Sequence, residues 1–239
     1  MSMKSKYDGS RLIFHDGAGS PRTSELGVTM APVVFQDDFL GKYFDGKWET
    51  VETSLNTAIA SAEEVNGILL IGLDADDNAE QGVLYWGDDR GISVKQEAIF
   101  ECRCMVSVLP TTGVDLVIGM AGDHNATRDN MTEAAWFRCQ ASGALLCESD
   151  DTTNNNDDVA TGTTLVATDW HTLRIDFTDI ADVKFYLDNV RVCATTTFDM
   201  SNLTDDEAVL QPYIGLGKSS GTGVGSIKID WVRITSRRS

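Results

Sequence analysis

Carboxylates are the residues best placed to do chemistry in this chain, and several fall into spaced groups. Glu97 and Glu101 are spaced to share one face of a strand, and Glu63 and Glu64 are adjacent. Paired carboxylates of that kind could serve as acid and nucleophile in glycoside hydrolysis. The run Leu73 to Gly82 places Asp74, Asp76, Asn78 and Glu80 at alternating positions, a density of hard oxygen donors suited to calcium. It is not an EF-hand loop, because glycine is missing at the sharp turn and Tyr85 stands where the terminal glutamate belongs. The expectation is an acidic loop without an ion, with calcium as the only cofactor considered. Tyr85 and Trp86, followed by Asp88 and Asp89, could stack on sugar rings and accept their hydroxyl protons. Trp136, between Ala135 and Phe137, reads as core.

Other chemistries find little support. Of three histidines, His171 beside Trp170 reads as structural, His124 in GDHNATRDN as solvent-facing, and His15 lies near the N-terminus. There is no phosphate-binding loop or dinucleotide fingerprint. Five cysteines (Cys102, Cys104, Cys139, Cys147 and Cys193) leave at least one unpaired, and no Cys-x-x-Cys pair suggests zinc. They read as small buried residues of a protein made in a reducing compartment. A net charge of -18, from 37 acidic and 19 basic side chains, disfavours nucleic acid and anionic membranes as direct partners. It favours solubility, or docking onto a basic surface.

These residues need elements to position them, and the pattern is of strands. Residues 170 to 177 alternate polar with apolar, and Val183, Phe185 and Leu187 alternate before the tight Asp188-Asn189 corner. That is an antiparallel hairpin signature. Further strands are expected near 33–39, 48–53, 57–62, 67–73, 82–86, 92–108, 114–121, 134–140, 144–148, 163–166, 190–194, 210–216 and 226–235. Pro212 inside one of them suggests an edge or a bulge. Asp150 to Asp158 (DDTTNNNDD) reads as a solvated loop, and Ser201 to Ala208 as at most one helical turn capped by Ser201 or Asn202. No fixed repeat and no sustained helical period occurs. The class is all-β, a two-sheet antiparallel sandwich over residues 32–239.

Residues 1–31 differ in character. They carry Lys4, Lys6, Arg11 and Arg22, with one apolar patch at Leu12, Ile13 and Phe14. They read as an extended arm whose basic residues and apolar patch are the candidate partner-binding residues. They lack the continuous apolar block expected of a signal peptide, and no apolar run approaches the ~20 residues of a membrane span.

Several segments, taken in order, carry a family resemblance. FDGKWETVE (44–52), AIFECRCMVSV (98–108), WHTLRIDF (170–177), VKFYLDNVRV (183–192) and IKIDWVRI (227–234) resemble the strands of concanavalin A-like lectin and glucanase jelly rolls, the laminarinase-like and LamG-like group. The resemblance implies the jelly-roll fold and offers a test for catalysis. Laminarinase-like members carry E-x-D-x-x-E or E-x-D-x-E on the strand after the central one. The corresponding stretch, VDLVIGMAGDHN (114–125), holds only Asp115 and Asp123. The expectation is therefore a non-enzymatic protein. By analogy with virus particles that reuse this sandwich, the first reading is a bacteriophage capsid decoration or cement protein. It would be a homo-oligomer, assembled in the host cytoplasm and docked on the major capsid protein through the arm. The alternative is a glycan-binding lectin-like module, virion-attached or free. The third is an unusual β-glycan hydrolase.

Overall fold

The computed structural model describes the backbone of residues 4–8, 11–15, 23–25, 33–41, 46–53, 58–62 and 67–238, and side chains from residue 33 onward apart from 58 and 60–62. The N-terminal strands are β1 (Lys4–Asp8), β2 (Arg11–His15) and β3 (Thr23–Glu25). They pair only with one another, as an antiparallel meander. The side chains of Lys4, Lys6, Arg11, Leu12, Ile13 and Phe14 lie outside the described residues, as do Arg22, Glu63 and Glu64.

The remaining strands form a sandwich. In chain order they are β4 (Val33–Asp37), β5 (Glu49–Glu52), β6 (Ala58–Ala62), β7 (Ile68–Leu73), β8 (Glu80–Tyr85), β9 (Ile92–Ser93), β10 (Ile99–Val108) and β11 (Val114–Ala121). Then come β12 (Glu133–Cys139), β13 (Ala144–Asp151), β14 (Asn155–Thr164), β15 (Trp170–Asp176), β16 (Lys184–Leu187), β17 (Val190–Val192), β18 (Val209–Lys218) and β19 (Gly225–Ser236). One sheet, here called the back sheet, runs β17-β16-β15-β10-β19-β7-β6, with β4 also on β19. The front sheet runs β14-β13-β12-β11-β18-β8-β5, with β9 also on β18. Every pairing among the described strands is antiparallel.

Period-two alternation builds the core between the sheets. Phe100, Cys102, Cys104 and Val106 of β10 face Leu116, Ile118 and Met120 of β11, with Phe185, Phe137 and Ile227 in the same cluster. Burying each large side chain contributes about 1.5–3 kcal/mol. The hairpin expected at Asp188-Asn189 is present as β16–β17, and both corner residues have positive φ (51° and 66°). That is the backbone of a type I′ turn, whose twist suits a two-residue hairpin.

Several sequence expectations are corrected. The expected strand 92–108 breaks at a 3-10 turn (Val94–Gln96), ended by Glu97 in the left-handed region at φ 53°. Glu97 and Glu101 therefore do not share a strand face. Glu97 instead pairs with Arg237, Nη1 to Oε1 2.7 Å. The polar stretch around 155–158 is not loop but the start of β14, an edge strand whose exposed side chains alternate with half-buried ones. Polar composition there is what an unpaired edge requires, since an apolar edge invites aggregation. Residues 201–208 form turns rather than a helical turn capped by Ser201 or Asn202. Thr204 and Glu207 bond reciprocally, Thr204 N to Oε2 at 2.7 Å and Glu207 N to Oγ1 at 3.3 Å, a capping box without a helix. Pro212 lies in the central strand β18, opposite Met120 of β11. On its other side β18 pairs β9 through residue 210 and β8 from residue 214, so the missing N–H falls in the gap.

Candidate functional site

The outer face of the front sheet carries a second cluster, separate from the main core. Val83 and Tyr85 (β8), Val117 and Ala121 (β11), Ala134 and Trp136 (β12) and Tyr213 (β18) are buried there, with Met131 from the β11–β12 loop. Alternation explains the set: on β12, Ala135, Phe137 and Cys139 point into the sandwich while Ala134, Trp136 and Arg138 point out. Trp136 is thus packed on the opposite side of the sheet from the core that the sequence suggested for it. An aromatic row crosses the strands, with Tyr85 6.3 Å from Tyr213 and Tyr213 6.2 Å from Trp136 between ring centroids.

Part of this face is covered by the chain itself. The loop 122–132 folds back over β8 and β18, held by hydrogen bonds to Asp88, Gln211, Gln81 and Asp115. His124 N donates to Asp88 Oδ1 at 2.7 Å, and Gln211 Nε2 donates to Gly122 O at 2.8 Å and Asp88 Oδ1 at 2.9 Å. Gln81 Nε2 donates to Ala126 O, and Arg128 Nη1 to Asp115 O at 2.9 Å. The Arg128 guanidinium lies over Gly215 and Gly217, where an added Cβ would sit 3.2 and 3.1 Å from Nη2. Its Nε and Nη2 are buried without a hydrogen-bond partner among the described residues.

His124 is not the solvent-facing residue expected. Its ring stacks on Tyr213 at 6.0 Å, and Nδ1 lies 2.9 Å from the Tyr213 hydroxyl. Burial lowers its pKa, against the opposing pull of Asp88. Burial also pushes the Tyr213 phenol up to about 12. His171 is a structural residue, its Nδ1 2.8 Å from Asp188 Oδ2 at the hairpin corner.

Beyond the loop the face opens into a recess of about 270 Å³ over β12–β14. Met131 and Trp136 give it an apolar wall, and Arg138, Glu148, Asn155 and Asp158 line it with polar groups. Arg138 organises these carboxylates, reaching Asp115 at 3.1 Å, Glu148 at 3.0 Å and Asp158 at 3.3 Å. Glu148 Oε2 accepts from Trp136 Nε1 at 2.7 Å. Burial raises the Glu148 pKa, while the Trp136 and Arg138 hydrogen bonds pull it back. None of Arg138, Glu148 or Asn155 carried a sequence signal beyond its alternation, because their convergence depends on cross-strand register.

The sugar-binding residues expected from the sequence do not converge. Tyr85 lies under His124 on the outer face, ring centroids 5.5 Å apart. Trp86, one residue on, points inward and packs edge-on to Phe35 at 5.0 Å and near Trp48 at 6.3 Å. Asp88 is committed to the loop contacts with His124 and Gln211, while Asp89 is exposed.

The acidic run 74–80 does not fit calcium either. The Lys218 ammonium occupies the position where its oxygens converge, donating to Asp74 O and Asp76 O at 2.8 Å each and to Gly223 O at 3.1 Å. Glu80 Oε2 lies 3.4 Å from Lys218 Nζ, and both side chains are fully buried. Burial raises the Glu80 pKa, helped by Asp74 and opposed by Lys218. Among the described residues no three His, Cys, Asp or Glu side chains converge to hold a metal ion. On β11 the outward residues are Asp115, Val117, Gly119 and Ala121, a single carboxylate.

No protein-family profile matches the chain, and no curated protein matches it. Solved structures do. The carbohydrate recognition domain of Emp47p has TM-score 0.56 at 13% identity, covering 86% of this chain and 95% of that one. A β-1,3-glucanase from Mycobacterium marinum has TM-score 0.53 at 16% identity, covering 84% and 97%. A GH16 protein of the Bacteroides ovatus mixed linkage glucan system has TM-score 0.56 at 16% identity, covering 84% and 99%. With these likenesses the two-sheet arrangement is a concanavalin A-like jelly roll, the fold of lectin and glucanase sandwiches.

Proposed function

We propose that this chain is a non-catalytic, lectin-type sandwich that binds a short glycan in the recess over β12–β14. The recess itself carries the reading: an apolar Trp136 and Met131 wall faces hydrogen-bonding groups from Arg138, Glu148, Asn155 and Asp158. One apolar wall and a few convergent polar groups is what a sugar ring requires. The likeness to carbohydrate-binding and glycan-cleaving sandwiches supports the ligand class. The engagement of two of the chain's carboxylates supports binding without cleavage. Both Glu148 oxygens are engaged, by Trp136 and Arg138, and Asp115 is held by the same guanidinium.

The test is a glycan array followed by titration of the best ligand. Asn155→Ala, which removes an exposed side chain at the recess, should weaken binding about tenfold with an unchanged melting temperature. No reducing ends should be released from β-glucans. Retention of no glycan by the native chain would refute the reading, and release of reducing ends would refute its non-catalytic half.

A second reading concerns where the sandwich works. Among the described strands, β1–β3 pair with one another and with no strand of the sandwich. Such an element suits an arm that docks a structural protein onto a virus particle, the capsid decoration role, by strand addition. Deleting residues 1–30 should abolish particle association and leave a cooperatively melting sandwich. Association that survives the deletion would remove this reading.

A further inference from the structure

Two thiols from opposite sheets meet at one edge of the sandwich. Cys193 follows β17 at the edge of the back sheet and has φ 52°. Its Sγ reaches the front sheet's edge strand β14, donating to Val159 O at 3.5 Å and Ala160 O at 3.6 Å. Val159 is the ladder partner of Cys147 on β13, and Cys147 is fully buried between the sheets. Cys193 packs against the core cluster that contains Cys147. The neighbouring Cys147 lowers the pKa of the partly exposed Cys193, whereas burial raises that of Cys147. A partly exposed thiol with a lowered pKa is the reactive kind, and a buried partner beside it can resolve what it captures. Cys102, Cys104 and Cys139 are buried in the core and present no such accessible member.

We propose that Cys193 and Cys147 are a dithiol oxidation site, which a small-molecule disulfide such as oxidised glutathione converts to a bond between the two sheets. The site is independent of the glycan recess. In the first step the Cys193 thiolate attacks one sulfur of oxidised glutathione. Its S–S bond breaks, and one glutathione leaves as a thiolate that takes up the proton Cys193 released. In the second step Cys147 loses its proton and attacks the Cys193 sulfur of the mixed disulfide, expelling the other glutathione. Two protein thiols are oxidised and one glutathione disulfide is reduced to two thiols. Burial of Cys147 makes the second step the slower one.

The full chain, reduced and desalted, is incubated with oxidised glutathione, quenched in acid and alkylated under denaturing conditions. The native protein should lose two of its five thiols. It should carry no glutathione and yield a Cys147–Cys193 cross-linked peptide. Its melting temperature should rise roughly 10 °C, reversibly with dithiothreitol. Cys193→Ser should abolish the bond and the shift, and Cys147→Ser should stop at a glutathione adduct on Cys193. Five alkylated thiols, a stable adduct on the native chain, a bond between other cysteines, or an unshifted melting temperature would each overturn the proposal.

Discussion

Lys218→Met should destabilise the sandwich by about 3–5 kcal/mol, the cost of removing one partner from a buried ion pair. For a chain of this size that corresponds to a fall of roughly 10–15 °C in melting temperature. Methionine keeps most of the side-chain length, so the loss isolates the ammonium. Without it the Asp74, Asp76 and Gly223 carbonyls lose their shared donor. The Glu80 carboxylate, fully buried, loses its counter-charge. Glu80 already sits above the ordinary carboxylate pKa because of burial, and the substitution removes the Lys218 influence that opposes the rise. The sign of the pH dependence follows. A carboxyl whose folded pKa is raised penalises the fold fully above that pKa and not at all below the unfolded value near ~4.3. The variant should therefore recover part of its deficit as pH falls, and Glu80→Gln in the same chain should recover part of it at neutral pH. Thermal unfolding across pH measures both. A deficit under about 1 kcal/mol, too small for any buried pair, would show that the ammonium does not hold this corner.

Asp151→Ala should cost a similar amount, about 3–5 kcal/mol, through several donors left unsatisfied at once. Asp151 is fully buried, and its Oδ1 accepts from Thr153 N at 3.1 Å and Asn154 N at 2.6 Å. Oδ2 accepts from Asn202 N and Nδ2 at 3.0 Å each and from Asn154 Nδ2 at 3.3 Å. One carboxylate thereby ties the β13–β14 turn to the 199–203 segment. Burial alone would raise its pKa, yet the bonds from Asn154, Asn202 and Thr153 prevail and the pKa is lowered. A lowered folded pKa stabilises the native state fully above the unfolded value near ~3.9, and that contribution is lost as pH falls from there through the folded pKa. The native protein should show this acid limb in urea midpoints between pH 7 and 2, and Asp151→Ala should flatten it. An unchanged limb would place the acid sensitivity elsewhere.

Sandwich architecture was legible because most strands show a two-residue period, and the Asp188-Asn189 corner marked its hairpin. Only the end of β14 was expected as strand, because its polar first part, on an edge with little apolar surface, has no apolar period to read. Trp136 shows a different gap: alternation says that Trp136 and Phe137 face opposite ways, but not which side is the main core. The acidic run 74–80 looked like a calcium site because oxygen donors are local, while the cation that satisfies them is contributed by Lys218, far along the sequence. Trp86 was separated from Tyr85 by the same period that made both look like surface aromatics. Arg138, Glu148 and Asn155 meet only through the β12–β13–β14 register, which local sequence does not specify.

The loop 122–132 makes the front face evolvable in one step. It rests on the aromatic row by a handful of polar contacts, centred on Asp88, Gln81, Gln211 and Arg128. Loop length is the cheapest property of a fold to change, since closure entropy grows only slowly with added residues. Shortening this one would uncover Tyr85 and Tyr213 beside Trp136 and turn a small recess into a trough across the sheet. Lengthening it would seal the recess. Descendants of one sandwich could thus differ in the size of ligand the recess admits without altering a single residue of the strands beneath.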